Sequence, residues 1–214
     1  MKCEATMMRL YAVTDRTWLH GRELTEAVKE AIAGGITCLQ LREKDLSPAA
    51  FLEEALELKR VTTAAGIPLI INDSVDICLK SGADGVHVGQ GDMAAGEVRR
   101  LLGPDKILGV SARTVEQALA AQKAGADYLG VGAIFGTSTK LDAKKTLLET
   151  LHAICEAVSI PVVAIGGVRE ENLLSLSGSG ADGAAVVSAI FAQKDICRAA
   201  KRLRDLSDQM AAGK

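Results

Sequence analysis

Three segments of the sequence repeat one pattern, and this repetition limits the folds that the chain can adopt. GADGVHVG begins at Gly82, GADYLGVG at Gly125 and GADGAAVVS at Gly180. Each combines a glycine that suits the end of a helix, a short turn and an apolar run as long as a β-strand. Prolines announce two further strands, in AGIPLIIND from Ala65 and VSIPVVAIGG from Val158. Strand-like runs that alternate with helical patterns indicate βα units and a parallel sheet.

Eight such strands fit the chain, each followed by a helical pattern, with the last two helices predicted at Glu170–Leu176 and Ala192–Met210. Eight units in 214 residues leave about 27 residues each, near the compact limit of a (β/α)₈ barrel. A doubly wound open sheet is the rival fold, but it usually has about five or six strands and an early glycine-rich phosphate turn. No linker or low-complexity segment interrupts the series, so we predict a single-domain (β/α)₈ TIM barrel over residues 1–214. The predicted strands centre on Leu10–Val13, Cys38–Leu41, Leu69–Ile71, Val86–Val88, Ile107–Val110, Tyr128–Val131, Val162–Ile165 and Ala184–Val187.

Composition and charge exclude several classes of protein. Hydrophobic residues make up 48% of the chain and charged residues 24%, as in ordinary globular proteins. A formal net charge of -2 provides no global field for nucleic acid or an anionic membrane. No apolar run approaches the roughly 18 residues of a bilayer span, and no signal-peptide core is present. The cysteines are scattered and lack metal-ligand spacing, which suits a reducing compartment. From these observations together, we expect a cytoplasmic protein without nucleic-acid or membrane partners. The sequence is compatible with a homo-oligomer as well as with a monomer.

Polar side chains concentrate where the predicted strands end. The second strand, in LQLREKD, runs from apolar residues directly into four charges with no turn residue between them. In a parallel barrel the loops after the strands share one face, and the active site lies there. We therefore predict that these charges line the mouth of the barrel. The candidate residues at the strand ends are Gln40, Arg42, Lys44, Asn72, Asp73, Asp92, Ser111, Thr137, Ser138, Thr139, Lys140, Gly166, Gly167, Val187 and Ser188.

The residue types at these positions narrow the chemistry. Arg42, Lys44 and Lys140 supply three cations, which suit a ligand with several negative charges. Asp73 and Asp92 supply the hard oxygen ligands that Mg²⁺ prefers, and Mg²⁺ typically adds phosphate oxygens and water to one or two carboxylates. The pattern predicts a magnesium-bound diphosphate.

A second anion site is predicted after the last two strands. Gly166-Gly167 and Val187-Ser188 follow strands seven and eight, where backbone N–H groups commonly bind phosphate in such barrels. Nothing resembles a nucleophile–base pair or a Schiff-base lysine. Each motif also has an ordinary structural interpretation, such as a solvated strand end for Arg42 and Lys44 or a helix cap for Asp73. Their shared position on one face favours a site.

At these residues the sequence resembles the thiamine phosphate synthase family, along nearly its whole length. The motifs agree in order and spacing, which is far more specific than any one of them. The resemblance implies a barrel enzyme that acts on small molecules and joins hydroxymethylpyrimidine diphosphate to hydroxyethylthiazole phosphate with Mg²⁺. It also implies a dissociative step through a pyrimidine-stabilised carbocation. The matching motifs are LYAVTD from Leu10, QLREK from Gln40, IIND ending at Asp73, GVHVGQGD ending at Asp92, LGVSART from Leu108, TSTK from Thr137, AIGGV from Ala164 and VVSAI from Val186.

The resemblance also implies a role for individual residues. Asp73 and Asp92 would ligate Mg²⁺, and the catalytic set would be Arg42, Lys44, Ser111 and Lys140. The substrates would contact Gln40, Leu41, Arg42, Glu43, Lys44, Asn72, Ser111, Thr137, Ser138, Thr139, Lys140, Gly167, Val187 and Ser188.

Two departures from the family pattern concern the loop before Lys140. Gly136 replaces the usual proline, and LDAKKTLLETL lacks an expected glycine, so we expect residues Gly136 to Lys140 to form a mobile lid over the substrates. Two alternatives remain at this stage. A related thiazole tautomerase shares the barrel but tends to lose the Asn-Asp pair and the second aspartate, which are present here. A barrel that only binds a phosphorylated ligand would need no metal site.

Overall fold

The computed structural model describes residues 3–19, 21–136 and 146–213, and their strands form a closed parallel barrel. Each strand pairs with its neighbour in sequence, and the first strand pairs with the last through Tyr11 and Ala185. The eight predicted strands and the predicted (β/α)₈ barrel are confirmed. The strands are β1 Leu10–Val13, β2 Cys38–Leu41, β3 Leu69–Asn72, β4 Gly85–Val88, β5 Ile107–Ala112, β6 Tyr128–Val131, β7 Val162–Ile165 and β8 Gly183–Val186.

Helices cover the outside of the barrel, and the structure corrects the last two predicted ones. A 3₁₀ helix at Leu173–Leu176 replaces the helix predicted from Glu170, because the serine- and glycine-rich segment after it cannot continue a helix. The helix predicted from Ala192 starts at Ile196, where the Asp195 carboxylate caps it by accepting the Arg198 N–H at 2.9 Å. The α-helices are α1 Leu24–Ala33, α2 Pro48–Ala65, α3 Val75–Ser81, α4 Ala95–Leu102, α5 Val115–Lys123, α6 Leu148–Ala157, α7 Ser188–Phe191 and α8 Ile196–Ala212.

The core has two layers, because side chains alternate along each strand. On β2, Cys38 belongs to the cluster inside the barrel, whereas Leu39 and Leu41 belong to the larger cluster between barrel and helices. Both leucines are fully buried. Inward positions on β2 are therefore the even-numbered ones, and this parity carries Gln40 and Arg42 toward the mouth.

The aspartates of the three GAD segments have one structural role in common. Each accepts a hydrogen bond from the backbone N–H at the start of the strand before it, and so ties neighbouring strands together at their amino-terminal ends. A bond to a charged acceptor contributes roughly 1.5–3 kcal/mol. The repeated motif thus belongs to the face of the barrel that provides stability, opposite the predicted site. The donors and acceptors are Leu69 N with Asp84 Oδ2 at 2.8 Å, Leu108 N with Asp127 Oδ2 at 2.7 Å and Val162 N with Asp182 Oδ2 at 2.8 Å.

In the part of the chain that the structure describes, no helix is both long and apolar enough to span a membrane. The five cysteines are all free thiols.

Candidate active site

A cavity of about 600 Å³ opens at the carboxyl-terminal ends of the strands. This volume lies within the range of small-molecule sites. The barrel brings together predicted residues that are far apart in the sequence, because all parallel strands end on the same face. The predicted residues in the cavity wall are Gln40, Arg42, Asn72, Ser111, Gly166, Gly167, Val187 and Ser188.

The end of β2 directs Arg42 into the cavity. Its Nη1 lies 3.1 Å from Asp15 Oδ2, and its backbone N–H donates to Thr14 Oγ1 at 3.0 Å. Both partners follow β1. Asp15 holds the guanidinium, and Thr14 holds the backbone of Arg42. Lys44 is exposed and lies outside the cavity wall. The sequence predicted that all four charges of LQLREKD line the mouth, but only Arg42 among them is part of the cavity wall.

The side chains of Leu41 and Glu43 point away from the cavity, since they alternate with Gln40 and Arg42. Leu41 is fully buried in the outer apolar layer. The Glu43 side chain is 3% exposed and lies 2.9 Å from Arg16 Nε, and Arg16 also pairs with Glu54. Any substrate contact from these two residues would come from their backbone, whereas the resemblance implied only that they contact the substrate.

The Glu43 carboxyl lies behind the strand in a partly buried cluster of charges with Arg16 and Glu54. Burial, together with the neighbouring Glu54 carboxylate, raises the pKa of Glu43 to about 7 from its ordinary 4.5, against the opposing effect of Arg16. A buried acid with such a pKa binds a proton in the folded state at pH values where the unfolded chain has lost it. The stability that Glu43 contributes is therefore fully present below about pH 4.5 and is lost as the pH rises through about 7.

We expect Glu43→Gln to reduce this loss of stability with rising pH. Urea unfolding at about pH 5 and about pH 8 should show a wild-type free energy of unfolding that falls relative to the variant by on the order of 1 kcal/mol or more. Glu57→Gln, an exposed change on α2, is the matched control and should leave the pH dependence unchanged. Equal pH dependence of wild type and Glu43→Gln would contradict the assignment.

Asp73 and Asp92 are exposed on neighbouring loops, after β3 and β4. Asp73 has φ of 62°, a left-handed conformation that is costly outside glycine and frequent at active sites. Its Oδ2 accepts from Asn72 Nδ2 at 2.6 Å, and Asp92 Oδ2 accepts from Gly89 N at 2.7 Å. Asn72 and Gly89 both line the cavity. The two carboxylates therefore lie at its rim, on the side of β3 and β4.

The described residues suit Mg²⁺ only if the bound phosphate and water supply part of its ligands. Within residues 3–19, 21–136 and 146–213, no group of three or more His, Cys, Asp or Glu side chains is arranged to hold a metal ion. Mg²⁺ does not require such a group, since it commonly binds one or two carboxylates and takes its other ligands from phosphate and water. The donor chemistry of Asp73 and Asp92 fits this arrangement.

The opposite wall of the cavity is made of backbone. Gly166 and Gly167 have φ of 97° and 68°, and a Cβ on Gly167 would lie 2.2 Å from the Gly136 carbonyl oxygen. Only glycine suits both the conformation and the close approach. Behind this wall, Asn172 Nδ2 donates to the Gly167 carbonyl at 2.9 Å.

The loop after β8 completes this wall. Val187 and Ser188 line the cavity, and Ser188 is the first residue of α7. The first N–H groups of a helix have no partner within it. This part of the wall therefore presents backbone donors where the sequence predicts a single phosphate.

The predicted residues Thr137, Ser138, Thr139 and Lys140 lie outside the described residues. Gly136, the last described residue before them, is exposed and lines the cavity. The expected lid therefore stays a prediction.

Several residues of the wall were missed by the sequence analysis. Arg113 and Arg169 add two cations to the cavity lining, and each follows a strand end by one or a few residues. Tyr11 and His87 line the interior below the mouth. His87 is hydrogen-bonded within the fold, through Nδ1 to Tyr128 OH and through Nε2 to Ser111 Oγ, both at 2.9 Å. The alternation of side chains along β1 and β4 could have indicated that Tyr11 and His87 point inward. The apolar residues around them conceal this alternation.

Comparison with known proteins identifies the relatives of the chain. A family model described as thiamine monophosphate synthase matches residues 10–190. A thiamine-phosphate synthase from Ruminiclostridium cellulolyticum is 55% identical over 197 residues, which cover 92% of this chain and 94% of the relative. Its counterpart from Clostridium tetani is 53% identical over 194 residues, or 91% and 93% of the two chains.

A solved structure agrees with these sequence relatives. The thiamine phosphate pyrophosphorylase from Pyrococcus furiosus superposes with a TM-score of 0.89 at 36% identity, and the match covers 96% of this chain and 98% of that one. The similarity therefore extends over nearly the whole length of both chains.

Proposed function

The chain belongs to the thiamine monophosphate synthase family and is a transferase of thiamine biosynthesis, and we propose that its barrel mouth joins hydroxymethylpyrimidine diphosphate to hydroxyethylthiazole phosphate. The products are thiamine phosphate and pyrophosphate. In this reaction the bond between the pyrimidine methylene and the diphosphate oxygen breaks, and the oxygen keeps the electron pair. The thiazole nitrogen then uses its lone pair to form the new carbon–nitrogen bond.

One observation carries the proposal: the cavity has two different walls, and the chemistry of each suits an anion. Arg42 lies on one wall with Asn72 beside it, and Gly167, Val187 and Ser188 lie on the other. A donor with a diphosphate and an acceptor with a single phosphate would bind with their reacting ends between the walls. No proton acceptor is needed at the reacting atoms, which agrees with the lack of a nucleophile–base pair in the sequence.

The residues of this chain would act by binding and orientation. Arg42 holds the diphosphate, and its guanidinium gains interaction energy as negative charge develops on the leaving group. Lys44 and Lys140 would add to this field. Ser111 and Gln40 would hold the pyrimidine, and Thr137 to Thr139 would contact the thiazole. Two oriented reactants in one cavity convert a bimolecular step into an effectively unimolecular one.

Asp73 and Asp92 would hold Mg²⁺ at the rim. When bound, this ion would supply a counter-charge to the diphosphate and favour its departure. A cytoplasmic location is also part of the proposal, because five free thiols suit a reducing compartment.

The alternatives considered from the sequence are not supported. The sequence relatives compared are named as synthases. Asn72, Asp73 and Asp92, which a tautomerase tends to lose, are retained. A barrel that only binds ligand would need one anion wall and no carboxylates at its rim.

The test is product formation by the purified protein from both substrates, with Mg²⁺ and with a chelator. Thiamine phosphate and pyrophosphate should appear in equal amounts, and only with Mg²⁺. Isomerisation of a thiazole carboxylate phosphate without condensation would establish the tautomerase instead. Tight binding of a phosphorylated heterocycle without either reaction would establish a binding barrel.

A further inference from the structure

A chain of hydrogen bonds crosses the inside of the barrel below the cavity. Gln40 Nε2 donates to Tyr11 OH at 2.9 Å, and Tyr11 OH lies 2.7 Å from Tyr128 OH. Tyr128 OH lies 2.9 Å from His87 Nδ1, and His87 Nε2 lies 2.9 Å from Ser111 Oγ. The five side chains come from five different strands. The two ends are the residues proposed to bind the pyrimidine, whereas the three central residues have no role in the function as described so far.

The barrel is shaped around the centre of this chain. Tyr11 and Tyr128 are at most 1% exposed, and their ring centroids lie 5.7 Å apart. A Cβ on Gly109 would lie 2.2 Å from Tyr128 Cζ, and a Cβ on Gly130 would lie 3.0 Å from His87 Cε1. Glycine at these two inward positions leaves the space that the rings occupy. The hydrogen-bonded side chains are thus part of a packed interior, and the first and last of them, Gln40 and Ser111, line the cavity.

The donors and acceptors follow in order from one end. Because Tyr11 OH accepts from Gln40, its own proton is available to Tyr128 OH. Tyr128 can then donate to His87 Nδ1, which leaves the imidazole proton on Nε2, where it donates to Ser111 Oγ. Every bond then has one donor and one acceptor. If Tyr128 donated to Tyr11 instead, the Tyr11 proton would be left with the neighbouring Cys38 sulfur, which is a much weaker acceptor than a phenol oxygen.

This order determines what each end presents to the cavity. With its amide nitrogen turned to Tyr11, Gln40 presents its carbonyl oxygen, which is an acceptor. With its oxygen accepting from His87, Ser111 presents its hydroxyl hydrogen, which is a donor. Reversal would require the amide, both phenols and the imidazole tautomer to change together, and this coupling holds both ends in one state.

We propose that Tyr11, Tyr128 and His87 are positioning residues that hold Gln40 as an acceptor and Ser111 as a donor, and thereby select an aminopyrimidine over an oxopyrimidine. The inference rests on the proposed function. An aminopyrimidine offers an amino donor to the Gln40 carbonyl and a ring-nitrogen acceptor to the Ser111 hydroxyl. An oxo group in place of the amino group faces the Gln40 carbonyl with a second acceptor, and the mismatch in a buried site is costly.

The titration behaviour of the tyrosines agrees with this role. Burial raises the pKa of both Tyr11 and Tyr128 well above the ordinary value. Both phenols therefore keep their protons at neutral pH and serve as neutral donors.

The kinetic test compares two pyrimidine diphosphates, one with the amino group and one with an oxo group in its place. Wild type should prefer the amino substrate in kcat/KM by on the order of 10²-fold or more. Tyr128→Phe keeps the ring but removes the hydroxyl, and should reduce this preference by about tenfold or more, since each end can then turn independently. The intrinsic difference in reactivity cancels when the two ratios are compared.

Two further variants make the result interpretable. Tyr11→Phe breaks the chain at another bond and should give the same loss of preference. Thr62→Val removes a buried hydroxyl on α2 outside the barrel, where Thr62 Oγ1 donates to the Lys59 carbonyl at 3.2 Å, and should leave the preference unchanged. A purely structural role of the tyrosines would lower both kcat/KM values by one factor, and an unchanged ratio would overturn the proposal.

A measurement without substrate tests the relay separately from the function. In ¹⁵N-histidine NMR, with His87 assigned by comparison with His87→Gln, the ring should be neutral with its proton on Nε2. A proton on Nδ1, or on both nitrogens, at about pH 7 would overturn the proposed polarity. Absence of product from wild type with either pyrimidine would overturn the proposed function and the substrate assignment, while the tautomer would still report on the relay.

Discussion

Arg42→Ala should lower kcat/KM for thiamine phosphate formation by on the order of 10²-fold or more, mainly through kcat. The Arg42 side chain is 16% exposed and is held 3.1 Å from Asp15 at the cavity wall. In the proposed reaction, a guanidinium positioned in this way would interact more strongly with the departing diphosphate than with the bound substrate. Its loss therefore raises the barrier more than it weakens binding.

Steady-state kinetics with both substrates varied would separate these effects. Arg42→Lys should fall between wild type and alanine, because it keeps the charge but loses the planar pair of donors. Arg100→Ala removes an exposed arginine from α4 and should have no effect. A rise in KM with unchanged kcat would show that Arg42 contributes only to substrate binding.

Asp73→Asn should raise the Mg²⁺ concentration for half-maximal activity by about tenfold or more and lower kcat/KM by on the order of 10²-fold. The change keeps the shape of the side chain but removes its charge, so a rim with two carboxylates becomes a rim with one. Mg²⁺ binds hard anionic oxygens, and a neutral amide is a weaker ligand. Asp92→Asn should behave in the same way, since its carboxylate lies on the adjacent loop.

Activity as a function of Mg²⁺ would measure this shift, and calorimetry with Mg²⁺ and pyrophosphate would measure binding without turnover. Asp76→Asn is the matched control. Asp76 is exposed in the first turn of α3 and forms an ion pair with Lys80 of that helix at 2.8 Å. Unchanged Mg²⁺ dependence in Asp73→Asn would remove this residue from the metal site.

Much of the fold could be predicted from local sequence patterns. Strands such as Leu10–Val13 and Cys38–Leu41 were predicted with their observed bounds, because short apolar runs between turn signals depend little on the rest of the chain. The helix predicted from Glu170 was wrong, since three or four apolar residues are compatible with either an α-helix or a single 3₁₀ turn.

The candidate site was predicted less completely. The polar residues at the strand ends were recognisable because charges beside apolar runs are conspicuous, and the family motifs supported them. Arg113 and Arg169 were not recognised, although they line the cavity, because single arginines after a strand resemble ordinary surface residues. The family resemblance did not separate Gln40 and Arg42, which face the cavity, from Leu41 and Glu43, which face the helices.

The sequence by itself determined the number of βα units, the face of the barrel that carries the candidate site and the residue types available there. Periodicity and turn chemistry are local properties, and the sequence records them directly. The tertiary structure alone decided which side chains meet. Closure of the barrel brings Tyr11 of β1 within 2.7 Å of Tyr128 of β6, although 117 residues separate them in the chain. Such a contact depends on strand number and register around a closed barrel, which no local pattern specifies.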